Sequence, residues 1–149
     1  MASPIEFSAN SPEETFALGQ GIAAHLRPGS VIALRGELGS GKTCLVKGIA
    51  SGLGIEDTIT SPTYTIINEY SVPEGISRNQ ILRHMDIYRI SGEEFIEIGG
   101  EELIRGDDIS LIEWSERVEK YLPENTIRIY IKITGSLSRL INIEGINIL

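Results

Sequence analysis

The sequence contains little of what membrane-spanning, secreted or disulfide-stabilised proteins require. Its one cysteine, Cys44, excludes an internal disulfide and is typical of a protein from a reducing compartment. The apolar runs are short, so none is long enough to span a bilayer. The amino terminus lacks the basic stretch and long apolar run of a secretory signal. Together these absences predict a cytoplasmic protein with no membrane partner.

Basic residues are also scarce. The chain has 13 Lys and Arg against 21 Asp and Glu, which gives a net charge of −8 and a pI of about 4.8. A protein that binds nucleic acid strongly by itself needs a basic surface to neutralise phosphates. The charge therefore argues against DNA as a partner, and it favours docking onto a more basic protein.

The overall composition is that of a globular chain. The 149 residues are 41% hydrophobic and 23% charged, which is typical of folded proteins and not of disordered ones. A chain of this length suits one domain with a sizeable core. We therefore predict a single domain over residues 1–149.

The most informative segment matches the phosphate-binding pattern G-x-x-x-x-G-K-[ST] without departure. Glycines let the backbone curl around a phosphate, so that several N–H groups point inward beside a helix N-terminus. In this pattern Lys42 reaches the β- and γ-phosphates, and the Thr43 hydroxyl ligates the accompanying Mg²⁺. The pattern therefore predicts a nucleotide site. Its residues are Gly36, Glu37, Leu38, Gly39, Ser40, Gly41, Lys42 and Thr43.

The residues on either side of this loop agree with that interpretation. Residues 31–34 form a short apolar run directly before it, and apolar residues at helical spacing follow from Leu45 to Leu53. Strand, glycine loop and helix is the setting that the pattern requires. The alternative is an ordinary glycine turn between a strand and a helix.

The other segments predict a mixed-sheet α/β domain. Ser11, Pro12 and Glu14 form a helix start with a capping box, and this helix is expected to run to about Leu26. Period-two alternation from residue 127 predicts a C-terminal antiparallel hairpin. The remaining predicted elements are strands at 64–70, 80–85 and 109–112, a short helix from Ser91 that stops at Gly99-Gly100, a helix over 114–122, and hairpin strands at 127–133 and 140–143.

Two acidic residues follow predicted strands. A phosphate-loop ATPase needs an acid that supports the metal and a group that orients the attacking water. The carboxyl ends of buried strands converge near such a loop, and Glu113 and Asp86 each end an apolar run. Each also has a simpler interpretation: Glu113 as a solvated acid at a helix start, and Asp86 as a turn or cap residue. The sequence leaves open which of the two contacts the metal directly.

Other polar and aromatic residues have more than one interpretation. The segment 61–65, which reads SPTYT, has two interpretations. It is either a switch segment that senses the γ-phosphate, or an ordinary proline-directed turn. Cys44 fits a small buried residue better than a nucleophile. His84 is a core histidine or a functional one. Trp114 is a core aromatic residue or a lid over the nucleotide.

Four segments together resemble the TsaE (YjeE) family, a small bacterial ATPase subunit of tRNA N6-threonylcarbamoyladenosine (t6A) biosynthesis. They occur in the family's order, and the resemblance extends over about residues 8–139. The phosphate loop alone is shared by many unrelated proteins, whereas the combination is far more specific. The segments are GELGSGKT at 36–43, SPTYT at 61–65, HMDIYR at 84–89 and EWS at 113–115.

The resemblance implies a fold and a set of site residues. The fold is a P-loop NTPase-like three-layer α/β sandwich with a mixed sheet. Residues 37–44, which include Cys44, hold ATP, and Thr43 and Glu113 ligate Mg²⁺. Lys42, Asp86 and Glu113 are the implied catalytic residues. Further implied nucleotide contacts are Thr63, Trp114 and Arg139, with residues 8–11 near the adenine.

The resemblance also implies an indirect role in tRNA modification. The chain would hydrolyse ATP weakly alone and would act with a TsaB–TsaD-type protein pair, which carries out the transfer to adenosine 37. It would contact tRNA only through that complex. Two alternatives remain open: a small-molecule P-loop kinase, and a non-catalytic module that senses ATP or ADP and binds a partner.

Overall fold

The computed structural model describes residues 3–62, 66–73 and 79–147. The expected switch residues Thr63 and Thr65 lie outside the described residues, as does Tyr64, the first residue of the predicted second strand. The part of that strand that the structure describes begins at Ile67.

The described residues contain one seven-stranded mixed sheet. Its strands are β1 (Ile5–Ala9), β2 (Val31–Arg35), β3 (Ile67–Ser71), β4 (Ile81–Asp86), β5 (Ile109–Glu113), β6 (Ile127–Ile133) and β7 (Arg139–Glu144). They lie in the order β1-β7-β6-β2-β5-β4-β3. The four central strands β6, β2, β5 and β4 are parallel, and antiparallel pairs complete both edges. The predicted C-terminal hairpin is confirmed as β6 and β7.

Helices cover both faces of this sheet. They are α1 (Pro12–Ala23), α2 (Lys42–Gly52), α3 (Gly92–Glu97), α4 (Gly100–Ile104) and a 3₁₀ segment at Ser115–Tyr121. Across residues 3–62, 66–73 and 79–147, none of the helices combines the length and apolar character needed to cross a membrane.

Strand β2 shows why the fold has three layers. Ile32 and Leu34 pack into the core beneath α1 and α2, whereas Val31 and Ala33 pack into a second core beneath α3, α4 and the 3₁₀ segment. A strand buried on both faces needs apolar side chains at successive positions, which explains the continuous run at 31–34. The predicted three-layer α/β sandwich is therefore confirmed.

Helices α1 and α2 pack closely because glycines lie at their contact. A Cβ atom placed on Gly48 would lie 2.1 Å from the carbonyl oxygen of Phe16, and one on Gly19 would lie 2.5 Å from that of Leu45. Neither position has room for a side chain. Because α2 begins in the phosphate loop, this close contact also positions the loop relative to the sheet.

The sequence expectations about the helices were met only in part. The helix from Ser91 stops before Gly99-Gly100 as predicted, but α4, which was not predicted, follows at once because Gly99 adopts a left-handed φ of +81° and redirects the chain. The helix expected at 114–122 is a 3₁₀ segment interrupted at Val118, where φ is −127°. Helix α1 ends at Ala23 and not near Leu26.

The first strand and one cap also differ from expectation. Strand β1 was not predicted; it forms because it pairs with β7, at the other end of the chain. The Ser11 hydroxyl caps α1 as expected and accepts from the Glu14 amide at 3.2 Å. The Glu14 carboxylate, however, accepts from the amide of Asn10 and not from that of Ser11. The second predicted cap, at Ser91, is a complete capping box.

Candidate functional site

The glycine-rich loop connects β2 to α2 at the carboxyl edge of the sheet. Gly39 and Gly41 have φ values of +79° and +103°, and Gly41 is the residue that directly precedes α2. L-residues with a side chain rarely adopt such angles, which is why the turn requires glycine. The loop therefore brings backbone N–H groups and the α2 N-terminus to one place, which is the arrangement that binds an anion.

Lys42 is the central cation of the site. Its side chain is buried, its Nζ donates a hydrogen bond to the Gly36 carbonyl, and Nζ lies 3.9 Å from the centre of the Trp114 ring. Burial lowers the pKa of Lys42, and the negative charges of Glu113, Glu116 and Asp86 partly oppose this shift. Among the described residues, the two groups in direct contact with the ammonium, the Gly36 carbonyl and the Trp114 ring, are uncharged. An anion that enters the loop therefore offers it a stronger partner.

Glu113 and Asp86 lie side by side at the edge where the loop begins. They end the adjacent parallel strands β5 and β4 and face each other in register, and Glu113 is also opposite Leu34 of β2. Glu113 is only 3% exposed. It lines a cavity of about 270 Å³ whose other walls are Leu38, Gly39, Ser40, Gly41, Lys42 and Thr43. The expected convergence of both acids near the loop is thus present in the fold.

Asp86 lines a neighbouring cavity and also stabilises a turn. One carboxylate oxygen accepts from the Tyr88 amide at 3.0 Å, and the other accepts from the Ser61 hydroxyl at 3.4 Å. The turn interpretation of this residue is therefore correct, and it does not exclude a role in the site. The cavity has a volume of about 280 Å³ and is lined by Leu38, Ser61, Asp86, Tyr88, Arg89 and Trp114.

Glu113 has a partner that the sequence did not reveal. Nε2 of His84 and Oε2 of Glu113 are 2.5 Å apart, and both side chains are buried. Sequence reasoning left His84 between a core residue and a functional one. A usable signal was available, because His84 and Asp86 are two residues apart on one strand and therefore share a face.

Trp114 packs against the second core, as one of its two interpretations predicted, and it also contacts the lysine of the loop. Its ring packs against the second core and lies 4.8 Å from the ring of Tyr88, while its other contact is the ammonium group of Lys42. Its backbone is left-handed, with φ at +61°. The next residue, Ser115, is buried and donates to the Leu34 carbonyl at 3.3 Å. The left-handed backbone of Trp114 is strained because the residue is not glycine, and such strain is often found at functional sites.

Arg139 reaches the loop from the C-terminal hairpin. Its guanidinium group donates to the carbonyls of Ser40 at 2.8 Å and Gly39 at 3.1 Å. It also donates to Gly135 and Ser138, the residues of its own turn. Arg139 therefore connects the hairpin to the phosphate loop, a contact that the sequence did not reveal.

A third cavity lies between the loop, α1 and the hairpin. Its volume is about 180 Å³, and its walls include the expected nucleotide contacts Cys44 and Arg139. Cys44 is half-buried, its thiol donates to the Pro12 carbonyl at 3.2 Å, and burial raises its pKa. These facts agree with a small packing residue and not with a nucleophile. The other walls are Pro12, Thr15, Ser40, Gly41, Ser136 and Leu137.

The residues around the loop fit a magnesium-bound nucleotide. Ser40 Oγ is buried without a hydrogen-bond partner among the described residues, although it lies in the loop itself. Thr43 and Glu113 line one cavity and offer oxygen ligands, which Mg²⁺ prefers. No cluster of three or more His, Cys, Asp or Glu is present in residues 3–62, 66–73 and 79–147. Two protein ligands suffice for Mg²⁺ when phosphates and water complete its coordination.

The sequence and the fold both match known proteins. The family model described as threonylcarbamoyl adenosine biosynthesis protein TsaE matches residues 9–141. A tRNA threonylcarbamoyladenosine biosynthesis protein TsaE from Treponema pallidum is 40% identical over 136 residues, which is 91% of this chain and 96% of the relative. The protein of the same name from Bacillus subtilis is 40% identical over 142 residues, covering 95% and 86%.

A solved structure agrees with these matches. The crystal structure of YdiB from Bacillus subtilis superimposes with a TM-score of 0.76 at 36% identity, and the match covers 96% of this chain and 86% of that one. The fold, the order of the motifs and the matched length all lead to the same family. This chain belongs to the TsaE family.

Proposed function

We propose that this chain is a Mg²⁺-dependent ATPase that is required for threonylcarbamoyladenosine modification of tRNA. The observation that carries the proposal is the cavity in which the phosphate loop, Lys42, Thr43 and the buried Glu113 meet. The pathway is inferred from the relatives, whose names assign them to tRNA threonylcarbamoyladenosine biosynthesis. A tRNA-modifying role also suits the cytoplasm, where we expect the protein to act.

Phosphate binding follows from the chemistry of the loop. The backbone amides of residues 37–44 and the N-terminus of α2 stabilise the phosphate oxygens. Lys42 exchanges the neutral Gly36 carbonyl for a charged phosphate oxygen, and the hydroxyl of Ser40 gains an acceptor. The cavity bounded by Pro12, Cys44 and Arg139 is the place for the ribose and base, because it adjoins the start of α2.

The two acids take different roles in this proposal. Glu113 shares a cavity with Thr43, which supports these two residues as the Mg²⁺ ligands. The ion would neutralise charge on the β- and γ-phosphates during cleavage. Asp86 lines the next cavity with its carboxylate hydrogen-bonded to Tyr88 and Ser61, which supports it as the group that orients the attacking water. That water attacks the γ-phosphorus, the bond to ADP breaks, and phosphate leaves.

Partner proteins would complete the site. Leu38 is 74% exposed and Tyr88 is 45% exposed, and both line the cavity that contains Asp86. A site this open admits bulk water, which weakens electrostatic stabilisation of the transition state. We therefore propose that hydrolysis is slow alone and is accelerated when a TsaB–TsaD-type pair covers the opening. The net charge of −8 agrees with contact to tRNA through those partners.

Two measurements test the proposal. The first is phosphate release from labelled ATP by the wild-type chain, Lys42→Ala and Asp86→Ala, with and without the partner pair. We expect partner-stimulated release from the wild type, loss of binding in Lys42→Ala, and loss of turnover with retained binding in Asp86→Ala. The second is a reconstituted tRNA-modification assay with the same three proteins, in which only the wild type is expected to support modification.

The same assays separate the alternatives. Label that appears in a metabolite instead of free phosphate would identify a kinase. If Asp86→Ala supports tRNA modification as well as the wild type does, the chain is a nucleotide-sensing module and not an ATPase. Absence of any heat on titration with ATP and Mg²⁺ at millimolar concentrations would refute all three functions.

A further inference from the structure

In the part of the chain that the structure describes, the histidine of β4 has one hydrogen-bond partner, Glu113. His84 is fully buried, and its Nε2 lies 2.5 Å from Oε2 of Glu113. The other ring nitrogen, Nδ1, is buried and has no partner among the described residues. Within residues 3–62, 66–73 and 79–147, the ring connects Glu113 to no further polar group.

The sheet register explains how the two side chains meet. Strands β4 and β5 are parallel, so that His84 is opposite Leu111 and Asp86 is opposite Glu113. His84 and Glu113 are therefore diagonal neighbours, a separation that long side chains can bridge. Both strands lie in the interior of the sheet, which limits movement of either backbone.

The chemistry assigns a direction to the hydrogen bond. A carboxylate that ligates a metal is ionised and only accepts hydrogen bonds, so in that state Nε2 of His84 is the donor. The bond engages Oε2 of Glu113 and leaves Oε1 as the second acceptor. A carboxylate held in this way cannot rotate freely, and Glu113 also lines the cavity that it shares with Thr43.

We infer that His84 is a positioning residue that orients the Glu113 carboxylate for the metal of the bound nucleotide. This inference rests on the proposed function, since it requires that Glu113 acts on Mg²⁺. Groups that hydrogen-bond to a metal ligand commonly change metal affinity by 10- to 100-fold when they are removed. The expected effect is therefore on the contribution of Mg²⁺ to nucleotide affinity, and not on the nucleotide alone.

Two amide substitutions provide a matched test. In His84→Gln the side-chain NH₂ lies at about the distance of Nε2 from the backbone, so a donor to Glu113 remains. In His84→Asn the NH₂ lies at about the distance of Nδ1, so that donor is lost. The measurement is calorimetric affinity for a non-hydrolysable ATP analogue, once with excess Mg²⁺ and once with a chelator, for the wild type and both variants.

We expect the three proteins to bind the metal-free nucleotide within about twofold of each other. The measured quantity is the factor by which Mg²⁺ raises nucleotide affinity. In His84→Asn this factor should be at least tenfold smaller than in the wild type, whereas in His84→Gln it should lie within about threefold of the wild-type factor. Equal Mg²⁺ gains in all three proteins would refute the inference. An equal loss with and without metal in His84→Asn would also refute it, because that result indicates a structural role only.

A second measurement needs no variant. The chain has two histidines, and His25 is exposed, so His25 serves as an internal control in nitrogen NMR spectra. Adding Mg²⁺ to the nucleotide-bound protein should shift the Nε2 resonance of His84 and leave those of His25 in place. An unchanged His84 resonance would overturn the inference even if the variants fail to fold. If the wild type binds no nucleotide at all, the proposed function fails first and the role of His84 fails with it.

Discussion

Arg139 offers a test of how the hairpin supports the phosphate loop. In Arg139→Ala the carbonyls of Ser40 and Gly39 lose donors at 2.8 and 3.1 Å. Hydrogen bonds from a charged donor contribute about 1.5–3 kcal/mol each, but the guanidinium is only partly buried, so we take about 1 kcal/mol for each bond. A loop that has lost this restraint must be ordered by the ligand, at the expense of binding free energy. The sum of about 2 kcal/mol corresponds to a loss of about 30-fold in phosphate affinity.

The assay compares two ligands by calorimetry. ATP has a base, a ribose and a triphosphate, whereas inorganic tripolyphosphate has only the part that enters the loop. If Arg139 acts through the loop, Arg139→Ala should lose affinity for both ligands by a similar factor. If Arg139 instead contacts the base or ribose, as its place in the wall of the cavity proposed for them allows, tripolyphosphate binding should be unchanged. Unchanged affinity for both ligands would refute any role for the contact.

A variant that keeps the charge serves as the control. In Arg139→Lys the single ammonium group cannot reach the carbonyls of two loop residues and two turn residues at once. We therefore expect Arg139→Lys to behave much like Arg139→Ala. Full recovery of affinity in Arg139→Lys would show that the charge matters and the fork-shaped geometry does not.

Three further predictions concern the lysine of the loop and the helix contact. Trp114 is the chain's single tryptophan and its ring contacts Lys42, so ATP should change its fluorescence in the wild type but not in Lys42→Ala. An unchanged emission spectrum of the wild type on saturation with ATP would contradict this prediction. Because the pKa of Lys42 is lowered from 10.5, the side chain loses its charge at a lower pH in the folded state. As pH rises toward 10.5, ATP affinity should therefore fall, while the free energy of unfolding should rise because the unfolded state then binds more protons. Lys42→Arg keeps its charge and should show neither change. Gly48→Ala should lower the free energy of unfolding by about 1–3 kcal/mol, since its Cβ would overlap the Phe16 carbonyl, whereas Gly21→Ala, which meets nothing within 4 Å, should be neutral or stabilising in urea denaturation.

Local signals were sufficient for the elements nearest the site. The glycine loop and the apolar run at 31–34 predicted the strand, turn and helix that the structure has, because each depends on backbone angles and burial over few residues. The cap at Ser91 and the terminal hairpin were also predictable, since both depend on neighbouring residues. The strand start at Tyr64 and the role of Thr63 stay predictions, because they lie outside the described residues.

The wrong or missing expectations share a different cause. Strand β1 forms because β7 provides its hydrogen-bonding partner. Its five residues alternate only weakly between apolar and polar side chains, and this pattern does not predict pairing with a distant strand. Gly99 does follow the end of α3, as predicted, but α4 was missed because a left-handed glycine can also redirect a chain into another helix. Tertiary pairing and chain direction decide such cases, and neither is encoded in a short window.

The sequence by itself determined the chemical groups of this protein: a loop that must wrap an anion, a lysine and a threonine beside it, and acids at the ends of buried strands. Those features depend on residue type and on spacing of a few positions. Only the tertiary structure decided which groups meet. It placed His84 against Glu113 across two strands, Lys42 against Trp114, and Arg139 against a loop about a hundred positions earlier. The physical reason is that side-chain contacts depend on sheet register and packing, which emerge only when distant segments share one core.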